Sequence, residues 1–220
     1  MTHKTHPKSL RIRGIEDWES KGFYGKRFPE SLEEDFFIRK FLIKRIGEAG
    51  VESVKIERFP SKVNVIVMSA RPGLIIGRGG SGAEELKKEL KQQLTLLKKR
   101  RRQGKIPEIR IEIQELKNPW ASASLVGQAI ARQIVKRTPF RKVMKQALAN
   151  IMENKEIKGA KIEMAGRLGG IDIARREWLK KGRLPRQTLR ADIDYALTTA
   201  FCIYGAIGIK VWLYKGEKFE

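Results

Sequence analysis

The stretch "RPGLIIGRGGSG", Arg71 to Gly82, satisfies two glycine patterns that imply different proteins. Gly77, Gly79 and Gly82 fit G-x-G-x-x-G, the phosphate turn of a dinucleotide-binding fold, with an apolar run before it and a helix-like run after it. Gly77 and Gly80 equally fit G-x-x-G, a clamp in which missing side chains let a single-stranded RNA or DNA backbone approach. A third reading, a tight turn leading into a helix, needs no ligand. The surrounding chain decides among them.

A dinucleotide turn follows a strand directly and has an acidic residue about 20 positions on for the ribose. Here Arg71-Pro72-Gly73 leaves only Leu74 to Ile76 before Gly77, and the later position falls in "LLKKRRR". That basic cluster could meet a 2′-phosphate, so an oxidoreductase using Gly77, Gly79 and Gly82 stays as an alternative. No alternation of strands and helices surrounds it, however. The clamp of a KH domain explains more: Ile75 and Ile76 lead into Gly77-Arg78-Gly79-Gly80, Arg78 can meet a phosphate, and the helix start beyond adds unpaired N–H groups.

Working outward, a helix is expected from Ser31, with Glu33, Glu34 and Asp35 near its positive start and Phe37, Ile38, Phe41, Leu42 and Ile46 at helical spacing. Gly47 and Gly50 end it. "VESVKIERF" and "KVNVIVM" alternate as two strands joined by a Pro60-Ser61 turn. After the glycines, Leu86, Leu90, Leu94 and Leu97 mark a helical stripe, and the charge run Lys98 to Arg102 reads by itself as a solvated face. Ile109, Ile111 and Ile113 then alternate with polar residues as in a half-buried strand. Helix, strand, strand, glycine turn, helix, strand is the KH order of ribosomal proteins, the prokaryotic type (type II).

"KNPWASAS" marks a boundary, with Asn118 as cap and Pro119 in the first helical turn. A helix to about Lys136 and a second opened by Thr138 and Pro139 precede strands at "KIEMAGR" and "GAIGIKVWLYKG". The last places Ile207, Ile209, Val211 and Leu213 inward, with Lys210, Trp212 and Tyr214 opposite. The fold class expected is therefore α+β, a KH domain over residues 31–117 and a two-layer α/β domain over 118–220. Residues 1–30 form a basic segment that docks rather than folds alone.

The 220 residues carry 47 Lys and Arg against 25 Asp and Glu, a net charge of +22. Such an excess repels itself, and a protein that neutralises phosphates uses it, because each contact releases a condensed counterion. The single cysteine, Cys202, excludes an internal disulfide, and His3 and His6 are too few for a Cys/His zinc site. The N-terminus lacks an apolar leader core and no run approaches about 18 apolar residues, so a cytoplasmic chain with no membrane partner is expected.

"GRLGGIDIARREWLKKGRLPRQTLRADIDY" (Gly166 to Tyr195) and "YGAIGIKVWLYKGE" (Tyr204 to Glu217) strongly resemble the bacterial form of the small-subunit ribosomal protein three family. "LRIRGI", "ARPGLIIGRGG" and "PFRKVMKQAL" match it in the same order, so the resemblance covers nearly the whole chain. It departs in two places. Gly79 stands where a second basic residue is usual and Ala83 where a larger apolar one is common, while Lys91 to Lys105 is longer and more basic than usual.

The resemblance implies a protein of the small-subunit head that binds small-subunit ribosomal RNA, neighbours proteins ten and fourteen, and lines the channel where messenger RNA (mRNA) enters. It implies no catalytic residue, cofactor, metal or small-molecule substrate. Asp192 and Asp194 in "RADID" read as structural anchors. The RNA clamp is assigned to Gly77, Arg78, Gly79 and Gly80, and the mRNA surface to Arg137, Arg141, Lys142 and Lys145. Candidate ribosomal RNA contacts are Lys4, Arg11, Arg13, Arg167, Arg175, Arg176, Arg183 and Arg190. Arg141, Lys142 and Lys145 occupy the first two turns of their helix, where cations oppose the dipole by about 0.3 to 1 kcal/mol each at the first turn. Stability alone would not place them there.

Overall fold

The computed structural model describes residues 5–11, 18–22, 28–101 and 108–219. They form two compact units, residues 18–117 and residues 118–219 joined by the N-terminal segment.

In the first unit, strand β1 (Ser20–Gly22) precedes helix α1 (Phe28–Ile46), strands β2 (Val51–Arg58) and β3 (Lys62–Ser69), helices α2 (Pro72–Ile76) and α3 (Ser81–Arg101), and strand β4 (Glu108–Glu115). The sheet order is β1-β2-β3-β4, with β2 and β3 antiparallel and both outer pairings parallel. Apolar residues at every second strand position, such as Val54, Ile56, Val63, Val65 and Val67, turn to one face and meet Ile38 and Leu42 of α1 and Leu86, Leu90 and Leu94 of α3. The helix α1 starts at Phe28, before the expected Ser31, because Pro29 is tolerated in a first turn where its missing N–H has no partner to lose.

That earlier start changes the role of the acidic residues. Glu34 and Asp35 lie beyond the first turn and are buried, where no helix-dipole argument applies. They receive Arg58 instead, which donates at 2.7 Å to Asp35 Oδ1, 2.8 Å to Glu34 Oε2 and 3.1 Å to the Ser31 carbonyl. Burial alone would lower the pKa of the Arg58 guanidinium, but its hydrogen bonds to both carboxylates and their charge outweigh burial and raise it. Lys98 joins the cluster at 3.0 Å from Glu34 Oε1. The basic run is thus not wholly a solvated face: its first residue is an internal counterion.

The second unit carries helices α4 (Ala123–Val135) and α5 (Phe140–Met152), then strands β5 (Gly159–Gly166), β6 (Arg175–Gly182), β7 (Ala191–Cys202) and β8 (Gly205–Glu217). The four strands form one antiparallel sheet in the order β6-β5-β8-β7. Val126, Ile130, Val143, Met144 and Ile151 of the helices pack on Ile162, Met164, Ile209, Val211 and Leu213. Asn118 makes no side-chain cap; Pro119–Ala121 is a 3-10 turn and α4 proper begins at Ala123. Its cap comes from a distant strand, since Asp194 Oδ2 accepts the Ala123 N–H at 2.7 Å.

Trp212 and Tyr214 do lie on the sheet face opposite to the helices, yet they are buried there with Ala191, Ile193, Leu184 and Tyr195. The N-terminal segment contributes: His6 meets the Tyr195 ring edge-on at 4.8 Å and Lys8 pairs with Asp194 at 2.8 Å. Asp192 pairs with Lys218 at 3.2 Å. Both aspartates therefore anchor structure.

Candidate nucleic-acid interface

The glycine loop is set by its two helices. Gly77 follows α2, not a strand, and its N–H donates to the Gly73 carbonyl at 3.0 Å. A dinucleotide turn needs a strand leading straight into it, so that reading falls. Gly82, the third glycine of that pattern, has a packing role: a Cβ there would lie 2.7 Å from the Ile75 carbonyl. Gly77, at φ 70°, would carry a Cβ 3.1 Å from the Gly82 nitrogen. These two glycines let α2 and α3 approach closely.

Gly79 and Gly80 differ from them. They adopt φ 62° and 86°, and a Cβ on either would touch nothing within 4 Å. Conformation, not crowding, selects glycine there, and the backbone is bare to solvent on the side where a ligand would come. Arg78 is exposed, and its carbonyl accepts the Ser81 hydroxyl at 3.0 Å as α3 begins. Beside the loop Leu74 and Ile76 are exposed, an apolar surface that sequence reading missed because three consecutive apolar residues carry no periodicity.

In the second unit, Arg137 closes α4 in the left-handed conformation at φ 62°, the only non-glycine among the described residues with positive φ. Its N–H donates to Ile134 at 2.8 Å and that of Thr138 to Gln133 at 3.1 Å, a cap that favours glycine at this position. Holding an arginine there costs about 1–2 kcal/mol. Pro139 then caps α5, whose first turn contains no carboxylate.

Arg141 is exposed but partnered: its Nε and a terminal nitrogen lie 3.3 and 3.4 Å from the two oxygens of Glu177. Arg175 reaches the same carboxylate at 3.1 Å, and the guanidinium groups of Arg141 and Arg175 lie 5.7 and 5.6 Å from the centre of the Phe140 ring. Lys142 and Lys145 are exposed, without an ion-pair partner among the described residues. Glu177 is the organising residue that sequence reading missed, since it lies 36 positions from Arg141.

The eight candidate ribosomal RNA contacts separate. Lys4 and Arg13 lie outside the described residues. Arg11 is only 5% exposed, and its guanidinium donates to the carbonyls of Pro7, Arg186 and Thr188, a buried brace rather than a surface cation. Burial lowers its pKa. Arg167 donates to the Ile171 and Tyr204 carbonyls and pairs with Asp172, bracing the turn after β7. Alternation along β6 sends Arg175 to the helix side with Arg141 and Arg176 to the other. Arg183 is exposed, as is Arg190, which lies 5.7 Å from the Phe219 ring. Of the long basic stretch, Lys91 is exposed on α3, and residues 102–107 lie outside the described ones. Among the described residues no group of three or more His, Cys, Asp or Glu could hold a metal ion, and no helix is long and apolar enough to cross a membrane.

Comparison with known proteins matches residues 37–121 to the KH domain family and residues 130–213 to "Ribosomal protein S3, C-terminal domain". The small ribosomal subunit protein uS3 of Caldicellulosiruptor saccharolyticus is 46% identical over 218 residues, covering 99% of this chain and 93% of the relative. The uS3 proteins of Lactobacillus helveticus and Synechocystis sp. are 44% and 42% identical, each over 99% of this chain and 92% and 87% of their own lengths. A G-x-x-G loop between two helices on a β-α-α-β core, followed by a second domain matched in its own right, leaves no enzyme family in view: the chain belongs to the bacterial uS3 family of small ribosomal subunit proteins.

Proposed function

We propose that this chain is a structural, ribosome-bound component of the small-subunit head in the bacterial cytoplasm. It binds small-subunit ribosomal RNA through the loop Gly77-Arg78-Gly79-Gly80 and lines the channel where mRNA enters with Arg137, Arg141, Lys142 and Lys145. The observation that carries the message reading is the start of α5. Three cations stand in its first two turns with no carboxylate in the first, directly after an arginine held in a conformation that favours glycine. Each feature costs stability, and a phosphate-gripping surface explains all of them.

Glu177 refines the picture. It holds Arg141 and Arg175 together beside Phe140, so these two present an ordered pair while Lys142 and Lys145 supply unpaired charge. Strand gripping behind a duplex, with translocation pulling, would force base pairs open without nucleotide hydrolysis by this protein. Proteins ten and fourteen are proposed as neighbours. A cleft of about 500 Å³ at the turn after β7, walled by Val135, Phe201, Ile203 and Tyr204, is apolar enough to suit a protein partner better than RNA.

The test is translation of messages with and without a strong hairpin by ribosomes carrying Arg141→Ala, Lys142→Ala and Lys145→Ala together. Selective slowing on the hairpin message is expected. Equal slowing on both messages, or none on either, contradicts the message role.

A further inference from the structure

On the sheet face away from α4 and α5, alternation along β6 presents Arg176, Trp178 and Lys180, and register sets Trp178 beside Glu163 and Lys180 beside Lys161 of β5. With Arg186 these residues line a cleft of about 310 Å³. Four cations there face one carboxylate, and Glu163 is already committed to Lys161 at 2.8 Å. Burial alone would raise Glu163, but the hydrogen bond from Lys161, with Arg176 and Lys210 nearby, outweighs it and holds the carboxyl below its ordinary range. Arg176 lies a long 3.7 Å from Glu163, and Lys180 and Arg186 have no carboxylate partner among the described residues.

Trp178 is 51% exposed in the middle of this charge. Lys161, pinned by Glu163, lies 5.2 Å from its ring and 4.8 Å from that of Trp212, so one side of the indole is backed by a fixed cation while the residue still lines the cleft. Of the cleft's other side chains only Leu184 is apolar, and four are ammonium or guanidinium groups, which favours a phosphate-bearing partner over an apolar protein surface. A half-exposed aromatic plane among cations suits a base with its flanking phosphates.

We propose that this face is a stacking site for one unpaired base of single-stranded RNA, with Trp178 under the base and Arg176, Lys180 and Arg186 at the adjoining phosphates. The site rests on the RNA-binding reading above and shares no residue with the glycine loop or the start of α5.

The full chain is titrated with a short oligoadenylate and with an A-form RNA duplex carrying the same number of phosphates. Trp178→Leu, which keeps apolar bulk over Lys161 but has no aromatic face, should bind oligoadenylate about tenfold more weakly, while Trp178→Phe stays within about threefold of the wild type. Duplex binding, where no base is free to stack, should change less than about twofold in either variant. Lys180→Ala with Arg186→Ala should instead flatten the plot of log K against log salt by about 1.4, which Trp178→Leu leaves alone. Equal oligoadenylate affinity for Trp178→Leu and wild type overturns the inference and frees this face for a protein partner. Failure of the wild type to bind either RNA overturns the RNA-binding reading itself.

Discussion

As the proposed RNA contacts, the glycine loop and the start of α5 would meet a phosphodiester with opposite parts of the chain. At Gly79 and Gly80 side chains are absent, φ is positive, and backbone is what a ligand would meet. At Arg141, Lys142 and Lys145 the backbone is closed into a helix and the side chains are what a ligand would meet. The first offers backbone and a single cation, Arg78, so its proposed grip would depend chiefly on shape and distance. The second would depend on charge, with Glu177 and Phe140 fixing the direction of only one of its three cations. On this proposal, RNA binding by one domain should be sensitive to added bulk and by the other to removed charge.

Substitutions at four positions break or sharpen that contrast. The largest effect is expected from Gly82→Val, whose Cβ would meet the Ile75 carbonyl at 2.7 Å. Backbone cannot yield as a side-chain tip can, so residues 18–117 should lose about 3 kcal/mol or more, read as an earlier melting transition of that unit. Next comes Gly80→Leu, where a Cβ meets nothing. It should weaken RNA binding about tenfold while the unit stays folded, as circular dichroism would check; Gly80→Asp should weaken it further, because it adds repulsion to bulk.

A smaller and opposite effect is expected at Arg137→Gly. Relief of the left-handed arginine should raise stability by about 1 kcal/mol, visible as a higher Tm of the second unit, and the same change should weaken binding of single-stranded RNA by a few-fold. Stability and grip moving together would show that Arg137 has no ligand-facing role. Smallest of all, Glu177→Gln should free Arg141 and Arg175 from their shared carboxylate and strengthen RNA binding about twofold at low salt, with the gain vanishing at high salt.

Periodicity made much of this fold legible. The leucine stripe of α3, the alternating isoleucines of β4 and β8, and the helices-then-strands order of the second unit all follow from apolar spacing, because a buried face must repeat at the pitch of its element. The G-x-x-G loop was legible too, by composition. What escaped had no such signature. The five-residue helix α2 is too short to show a period. Arg58 meets Glu34 across 24 positions, and nothing local couples them. In β6, "RREWLKKG" has so few apolar residues that neither face declares itself, so Arg175 and Arg176 both read as candidate ribosomal RNA contacts although they point to opposite sides of the sheet. Arg11 shows the same limit in reverse: in a basic segment it looked like an RNA contact, and burial against three carbonyls made it a brace.

The contrast between a backbone grip and a charge grip is tested most directly by the salt dependence of single-stranded RNA binding, measured side by side for the wild type, Gly80→Leu, and the Arg141→Ala, Lys142→Ala, Lys145→Ala triple variant. Each cation lost from a phosphate removes about 0.7 from the slope of log K against log salt, so the triple variant should flatten the plot by about 2. Gly80→Leu changes no charge and should lower the whole line while leaving it parallel to the wild type. A flattened line for Gly80→Leu, or an unchanged slope for the triple variant, would contradict the division of labour between the two domains.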